Sequence, residues 1–368
     1  MFDLTCQAER VSPVTARVAK VLEHGQFILG PEVAELESAL ARYVDVRHAI
    51  GVSSGRDALI MALMALGVRP GDAVFVPAFT FSATAGAVIA AGGVPVFTDI
   101  DPLTCNMAAE QLERAIEVIL ARGELRPRVA IAVDLYGLPA DYAAIEKVAA
   151  KHGLAIVADA AQSFGAMVGA RRVGTLAHVT ATSFYPTKPL GAFGDGGAVL
   201  TNDDELAEAV RQIRSHGTRG SGDVAVRLGM TGRLDTLQAA VLLAKLEVFD
   251  ESIAARRRLA ARYQQALEGI VGTPRAPGPF FSAWALYTVR VARRDAVRHR
   301  MALSGIETGL YYRVPLHRHP AFADCLAGDE SLPISEQAAN EVLSLPLHPG
   351  LSDADLDRVI EAVVRAVQ

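Results

Sequence analysis

The sequence predicts an α/β protein: a mostly parallel central sheet with helices on both faces, followed by a small α+β unit. Three observations predict it. From about residue 48 to 202, short apolar strand-like runs alternate with helical patterns. The runs carry almost no polar face, which is how strands covered on both sides read. The chain has 368 residues, more than one ordinary core serves. One large and one smaller unit are therefore expected, over residues 1–250 and 251–368.

Taken in order, AIGV (49–52) is a short strand that runs into Ser53-Ser54-Gly55 and the helical stretch DALIMALMAL (57–66). The further strands are AVFVPAF (73–79), GVPVFTDI (93–100), RVAIAVDLYG (128–137), LAIVADAA (154–161), HVTATSFY (178–185) and GAVLTN (197–202). Between several of them, AAEQLERAIEVILA (108–121) and DYAAIEKVAAK (141–151) place apolar residues at helical spacing. Asn202 or Asp203 is positioned to cap the helix DELAEAVRQIRS. From about 234 to 268 the pattern is helical throughout, long enough to bridge two units. The Pro/Gly-rich break GTPRAPGPFFS follows. After it come ALYTVRVAR (285–293) as a strand, a helix over 295–304, ETGLYYRVP (307–315) as a strand, and a closing helix from Asp353.

The composition excludes several classes. Hydrophobic residues make up 51% and charged residues 21%, which is globular and not disordered. The formal net charge is -5 and no basic patch stands out, against nucleic acid as the main partner. Cys6, Cys105 and Cys325 are too few and too scattered for a disulfide framework or a metal site, so a reducing, cytoplasmic setting is expected. The N-terminal MFDLTCQAER has no basic segment leading into an apolar run, so no signal peptide is expected, and no apolar run reaches membrane-spanning length.

Chemistry concentrates at three places. At AIGVSSGRDAL a strand turns into a helix, and the free N–H groups and dipole of that turn suit an anion, with Ser54 as an added hydroxyl. A serine-capped turn with no ligand reads the same way. At LAIVADAAQSFGA, Asp159 ends an apolar strand, where a poorly solvated carboxylate favours a cationic partner such as a protonated ring nitrogen. A structural turn cap is the competing reading. Gln162 offers a donor and an acceptor nearby. At SFYPTKPLGAFGDGGA, Pro186 and Pro189 exclude a regular helix around Lys188, and dense glycines mark a tightly bent backbone. Desolvation would make Lys188 a nucleophile toward an aldehyde, and Ser183 could point at the same site. A phosphate anchor, a carboxylate for a pyridinium nitrogen and a lysine for an aldehyde are the three handles of pyridoxal 5'-phosphate. GAFGDGGA lacks the context of a dinucleotide or P-loop motif.

With these motifs in place, the chain resembles the DegT/StrS family of pyridoxal phosphate-dependent nucleotide-sugar aminotransferases. The resemblance runs from HGQFILGPEVAELE through SSGRDAL, PAFTFSAT, DAAQSFGA, SFYPTKPLGAFGDGGA and RLDTLQAA to SLPLHPGL. It implies the fold-type I aminotransferase architecture, and it implies that Lys188 carries the cofactor as a Schiff base and shuttles the proton. Asp159 would pair with the pyridine nitrogen, Gln162 with the ring hydroxyl, and Phe81 would stack on the ring. Ser183 and the amides of Gly55, Arg56 and Asp57 would cradle the phosphate. Two positions depart from the family. Arg56 stands where most members have Thr, although a guanidinium can also serve an anion. Thr231 stands where most have an Asn that reaches the neighbouring subunit's phosphate.

The wording of SFYPTKPLG, FTDID and SAWALYTVRV is most similar to members that aminate UDP-2-acetamido-3-oxo-glucuronic acid with L-glutamate. Such a uronate calls for a cation, and Arg233 and Arg313 are candidates; a structural salt bridge is the other reading of Arg233. Tyr312 and His317 lie in the loop that contacts substrate in relatives, while His319 reads as surface. The resemblance also implies a homodimer with its active site across the interface, no metal, and a role in cell-surface polysaccharide sugars. An aminotransferase for dTDP-linked keto sugars is the alternative. A non-catalytic binder of cofactor or sugar nucleotide is the alternative of another class. Relatives that dehydrate sugars carry histidine in place of Lys188.

Overall fold

The computed structural model describes residues 12–220, 223–327 and 331–368. Cys6 and the N-terminal stretch read above lie outside them. Helices α1 (Ser12–His24) and α2 (Pro31–Val44) precede β1 (His48–Val52), α3 (Gly55–Ala65), β2 (Asp72–Pro77), α4 (Ser82–Ala90) and β3 (Val94–Thr98). Next come α5 (Ala109–Arg122), β4 (Arg126–Val133), α6 (Tyr142–His152), β5 (Ala155–Asp159) and the short β6 (Met167–Val168) and β7 (Arg171–Arg172). Then follow β8 (Val179–Ser183), β9 (Gly197–Thr201), α7 (Asp204–Arg214), α8 (Thr236–Leu246) and α9 (Phe249–Leu267). The remainder comprises β10 (Phe280–Phe281), β11 (Tyr287–Arg290), α10 (Arg294–Leu303), β12 (Leu326–Ala327), α11 (Pro333–Glu341), β13 (Val342–Leu345) and α12 (Asp353–Val367).

Eight strands form one sheet in the order β1-β9-β8-β5-β4-β2-β3-β12. From β8 to β12 every neighbour is parallel, and only β9 runs against its two neighbours. Because β1 and β8 both oppose β9, β1 points the same way as the parallel set. The all-apolar strands are explained by cover on both faces. Val74, Val76, Val129, Ile131 and Val157 pack against α3, α4 and α7. Their sequence neighbours Ala73, Phe75, Ala130, Ala132 and Ile156 point the other way, against α5 and α6. The period of two thus divides each strand between two helix layers.

The C-terminal elements build a separate cluster, in which Tyr263, Tyr287, Val289, Met301, Leu343 and Val359 pack together around the antiparallel pair β11–β13. Strand β12 returns to the large sheet beside β3. Among the described residues no helix is long and apolar enough to cross a membrane.

Three local expectations are refined. Asp203, not Asn202, caps α7, accepting from Glu205 N at 2.8 Å and Leu206 N at 2.9 Å. The Asn202 side chain accepts from Arg47 N instead. The helical stretch 234–268 is two helices. Val248, at φ -116° and ψ 16°, leaves the helical region. The turn redirects the chain so that Phe249 packs 5.6 Å from the rings of both Phe164 and Tyr43. ETGLYYRVP is not a strand. Only Gly309 pairs, with Ser344, and the chain then turns so that Tyr311 and Tyr312 face the same cavity. Two consecutive residues on one side are incompatible with strand alternation.

Candidate active site

The carboxyl ends of β1, β5 and β8, with the segment after β2, open onto a cavity of about 960 Å³. Parallel α/β sheets place ligands at this edge. The volume stands at the upper end for small-molecule sites, which run to about 1,000 Å³.

The turn after β1 forms one wall. Ser54 caps α3, its hydroxyl accepting from Asp57 N at 3.0 Å while its carbonyl accepts from Ala58 N. The Asp57 amide, expected to serve an anion, is thereby occupied, and the amides of Gly55 and Arg56 remain. The Asp57 carboxylate accepts from Ser53 Oγ at 2.6 Å. A Cβ on Gly55 would lie 2.5 Å from Ser183 Cβ. Glycine is what lets the helix start approach the end of β8 closely enough to share one site with Ser183.

Asp159, the last residue of β5, is 6% exposed. Thr84 Oγ1 donates to its Oδ2 at 2.8 Å, and Ala161 N donates to Oδ1 at 3.3 Å. Burial nevertheless holds the carboxyl above its ordinary pKa, against the pull of these bonds and of the Lys188 charge. A cation brought to this carboxylate would restore its ionisation. Beside it, Gln162 Oε1 accepts from Tyr136 N at 2.6 Å, and its Nε2 donates to Tyr312 Oη at 3.3 Å. Phe81 precedes α4 and lies roughly parallel to Tyr312, with ring centroids 6.0 Å apart.

Lys188 lines the same cavity, and its Nζ makes no hydrogen bond or ion pair among the described residues. Burial lowers its pKa, and the Asp159 charge only partly offsets this. The loop around it is held from several sides. Lys188 N donates to Tyr185 O at 2.8 Å and Ala192 N to Phe184 O at 2.7 Å. Lys245 Nζ donates to Gly191 O at 2.6 Å, and Phe193 N donates to Gln238 Oε1 at 2.9 Å, so α8 clamps the loop from below. Gly191 sits where a Cβ would meet Pro186 O at 2.5 Å. The prolines and glycines of this segment thus build a rigid, tightly folded mount for one lysine.

The structure gathers Gly55, Arg56, Asp57, Phe81, Asp159, Gln162, Ser183, Lys188 and Tyr312 at one cavity. It leaves four expected residues outside its walls. Thr231 is exposed, its Oγ1 3.4 Å from His216 Nε2. Arg233 bridges to Val52 through the backbone and makes no salt bridge among the described residues. Arg313 is exposed. His317 Nε2 lies 3.0 Å from Glu336 Oε1. Sequence reading missed Thr84, Tyr136 and Tyr311. The four-residue spacing of Thr80 and Thr84 in FTFSAT gave no helix-face signal, because Thr80 lies before α4.

The donor set fits pyridoxal 5'-phosphate. Bare amides and a hydroxyl converge where a phosphate could sit, a buried carboxylate lacks a full counter-charge, and a desolvated lysine faces the same space. Comparison with known proteins agrees. Residues 10–364 match the DegT/DnrJ/EryC1/StrS aminotransferase family. The chain is 45% identical over 364 residues to the UDP-2-acetamido-2-deoxy-3-oxo-D-glucuronate aminotransferase of Pseudomonas aeruginosa, covering 98% of each chain. It is 42% identical to the dTDP-3-amino-3,4,6-trideoxy-alpha-D-glucose transaminase of Streptomyces venezuelae, covering 98% of this chain and 94% of the relative. The crystal structure of a DegT DnrJ EryC1 StrS aminotransferase from Brucella abortus superposes with a TM-score of 0.96 at 45% identity, covering 99% of this chain and 97% of that one.

Proposed function

Because the chain belongs to the DegT/DnrJ/EryC1/StrS aminotransferase family, we propose that it transfers the amino group of L-glutamate to the C3 ketone of UDP-2-acetamido-2-deoxy-3-oxo-D-glucuronic acid, for cell-surface polysaccharide sugars. It is a pyridoxal phosphate-dependent sugar aminotransferase. The observation that carries the assignment of roles is the meeting of Lys188, Asp159 and the Ser54–Arg56 turn at one cavity.

The cofactor, when bound, supplies an electron sink for the carbanion at the substrate carbon. Lys188 is assigned as its covalent anchor. With glutamate in place, Lys188 Nζ would take the proton from its Cα, a transfer suited to an amine whose basicity burial has lowered. In the second half-reaction the same Nζ returns a proton to the sugar carbon. Asp159 would hold the ring nitrogen protonated, Gln162 would serve the ring hydroxyl, and Phe81 would lie against the ring. The amides of Gly55 and Arg56, with Ser183 Oγ, would hold the phosphate. Tyr312 borders the space left for the sugar.

A homodimer is part of the reading. Phe27, Ile28, Leu29 and Phe193 are exposed apolar residues that a second copy would cover. Thr231, Arg233 and Arg313 stand outside this chain's cavity, as residues serving a neighbour's site would. His317, already paired with Glu336, is kept as a loop support. A cytoplasmic setting rests on the sparse cysteines.

The test is the absorbance of the purified protein through both half-reactions. L-Glutamate should bleach the yellow band with release of 2-oxoglutarate, and the UDP-linked 3-oxo-uronate should restore it. Faster restoration by a dTDP-linked keto-6-deoxyhexose would move the assignment to the specificity named for the Streptomyces relative. A yellow protein indifferent to every amino donor would leave a non-catalytic binder.

A further inference from the structure

Three carboxylates, Asp57, Asp159 and Asp195, line the cavity, against two cations, Arg56 and Lys188. A phosphate monoester brings about -1.5 to -2 further charge at neutral pH. Lys188 and Asp159 already interact electrostatically, so Lys188 is committed to the end of the site where the aldehyde belongs. Arg56 is the other cation of the wall, and it is poorly satisfied. Its guanidinium lies against Gly86, where a Cβ would meet Nη2 at 3.6 Å. Its best hydrogen bond is 3.5 Å long, from Nη2 to Gly86 O. No carboxylate pairs with it among the described residues. Its backbone amide belongs to the same helix start as Gly55, while its exposed guanidinium reaches Gly86 of α4.

Resting on the pyridoxal phosphate reading above, we propose that the Arg56 guanidinium is the counter-charge of the cofactor's phosphate, so that cofactor retention is ionic as well as covalent. Arg56 then does more than present an N–H. It offsets a wall that would otherwise repel a dianion, and it discriminates the phosphorylated cofactor from the free aldehyde.

The experiment titrates apoenzyme with pyridoxal 5'-phosphate and, separately, with phosphate-free pyridoxal, reading the absorbance band of the lysine-bound aldehyde. Arg56→Gln keeps a polar but shorter side chain and removes the charge; Arg56→Lys restores the charge. The Gln variant should bind pyridoxal 5'-phosphate about 10- to 100-fold more weakly, the worth of a hydrogen bond to a charged group. Its affinity for pyridoxal should match wild type, the Lys variant should recover most of the loss, and the Gln variant should show a shallower dependence of phosphate-cofactor affinity on salt. Unchanged affinity for pyridoxal 5'-phosphate overturns the proposal. So does an equal loss for both aldehydes, which would mark a structural role, and so does a defect confined to the KM of the sugar nucleotide. A wild-type protein that forms no band with pyridoxal 5'-phosphate removes the cofactor reading itself, an outcome distinct from a wild type that binds and a variant that binds equally well.

Discussion

Thr84 Oγ1 donates a 2.8 Å hydrogen bond to Asp159 Oδ2, so the start of α4 reaches across to hold the carboxylate at the end of β5. This bond favours the ionised carboxylate, while burial favours the protonated one and dominates. Thr84→Val keeps the shape and removes the donor. The Asp159 pKa then rises further, because a bond that favours the charged form is lost. With the ionised form as the proposed working one, the acid limb of the kcat profile should move to higher pH, with the alkaline limb unmoved. An acid limb that stays in place would show that the bond has no hold on the ionisation of Asp159.

Lys188→Ala should abolish the yellow band and reduce turnover by at least about 10²- to 10⁴-fold, the usual share of a positioned acid–base group. The variant keeps a folded core, since Lys188 stands on a loop held by Lys245, Gln238 and its own backbone bonds. Circular dichroism with a thermal melt separates lost chemistry from lost fold. Full activity in this variant would end the assignment.

Gly55→Ala tests the closeness of α3 to β8. The added Cβ would stand 2.5 Å from Ser183 Cβ and 3.1 Å from Ser183 Cα, so strand or helix must move. The proposed phosphate anchor is built from both, and overpacking of this kind costs about 1–3 kcal/mol. Melting temperature should fall, and pyridoxal 5'-phosphate affinity should fall with it. An alanine variant that binds the cofactor like wild type would mean that the two elements do not share the anchor.

The parts of the site that were legible in the sequence are those set by strand ends. A parallel sheet forces the residues that end or follow its strands to one edge, so Asp159, Ser183 and the Ser54–Arg56 turn converge there, and the braced loop after β8 brings Lys188 to them. Thr84 was not legible. Its hydroxyl has a task only after α4 has packed beside β5, and a threonine in a helix gives no sign of that. ETGLYYRVP was misread because β-favouring residues in a row resemble a strand, while the deciding factor was the cavity that both tyrosines border. The break at Val248 was hidden because apolar residues continue through it, and only packing of Phe249 on Tyr43 and Phe164 reveals the change of direction.

Asp134 gives a prediction about stability. It follows β4, is fully buried, and accepts from Ala140 N and Tyr142 Oη at 2.8 Å and from Ser163 Oγ at 2.6 Å. Burial pushes its pKa up to about 7, the charge of Asp159 adds to this, and the three bonds oppose it. The unfolded carboxyl titrates near its ordinary value of about 3.9. Between those two values the folded chain holds a proton that the unfolded chain has released, so stability must fall as pH rises from about 4 to about 7 and level off above. The full span corresponds to at most about 4 kcal/mol. Asp134→Asn mimics the protonated carboxyl and should remove that fall. Urea unfolding of both proteins across this range should show wild type losing stability relative to the variant as pH rises, and two parallel curves would place the Asp134 proton elsewhere. Asp134 N also donates to Asp159 O at 3.1 Å. A kcat profile that shifts in the Asn variant would therefore show the buried charge acting through Asp159, while an unchanged profile would confine its effect to folding.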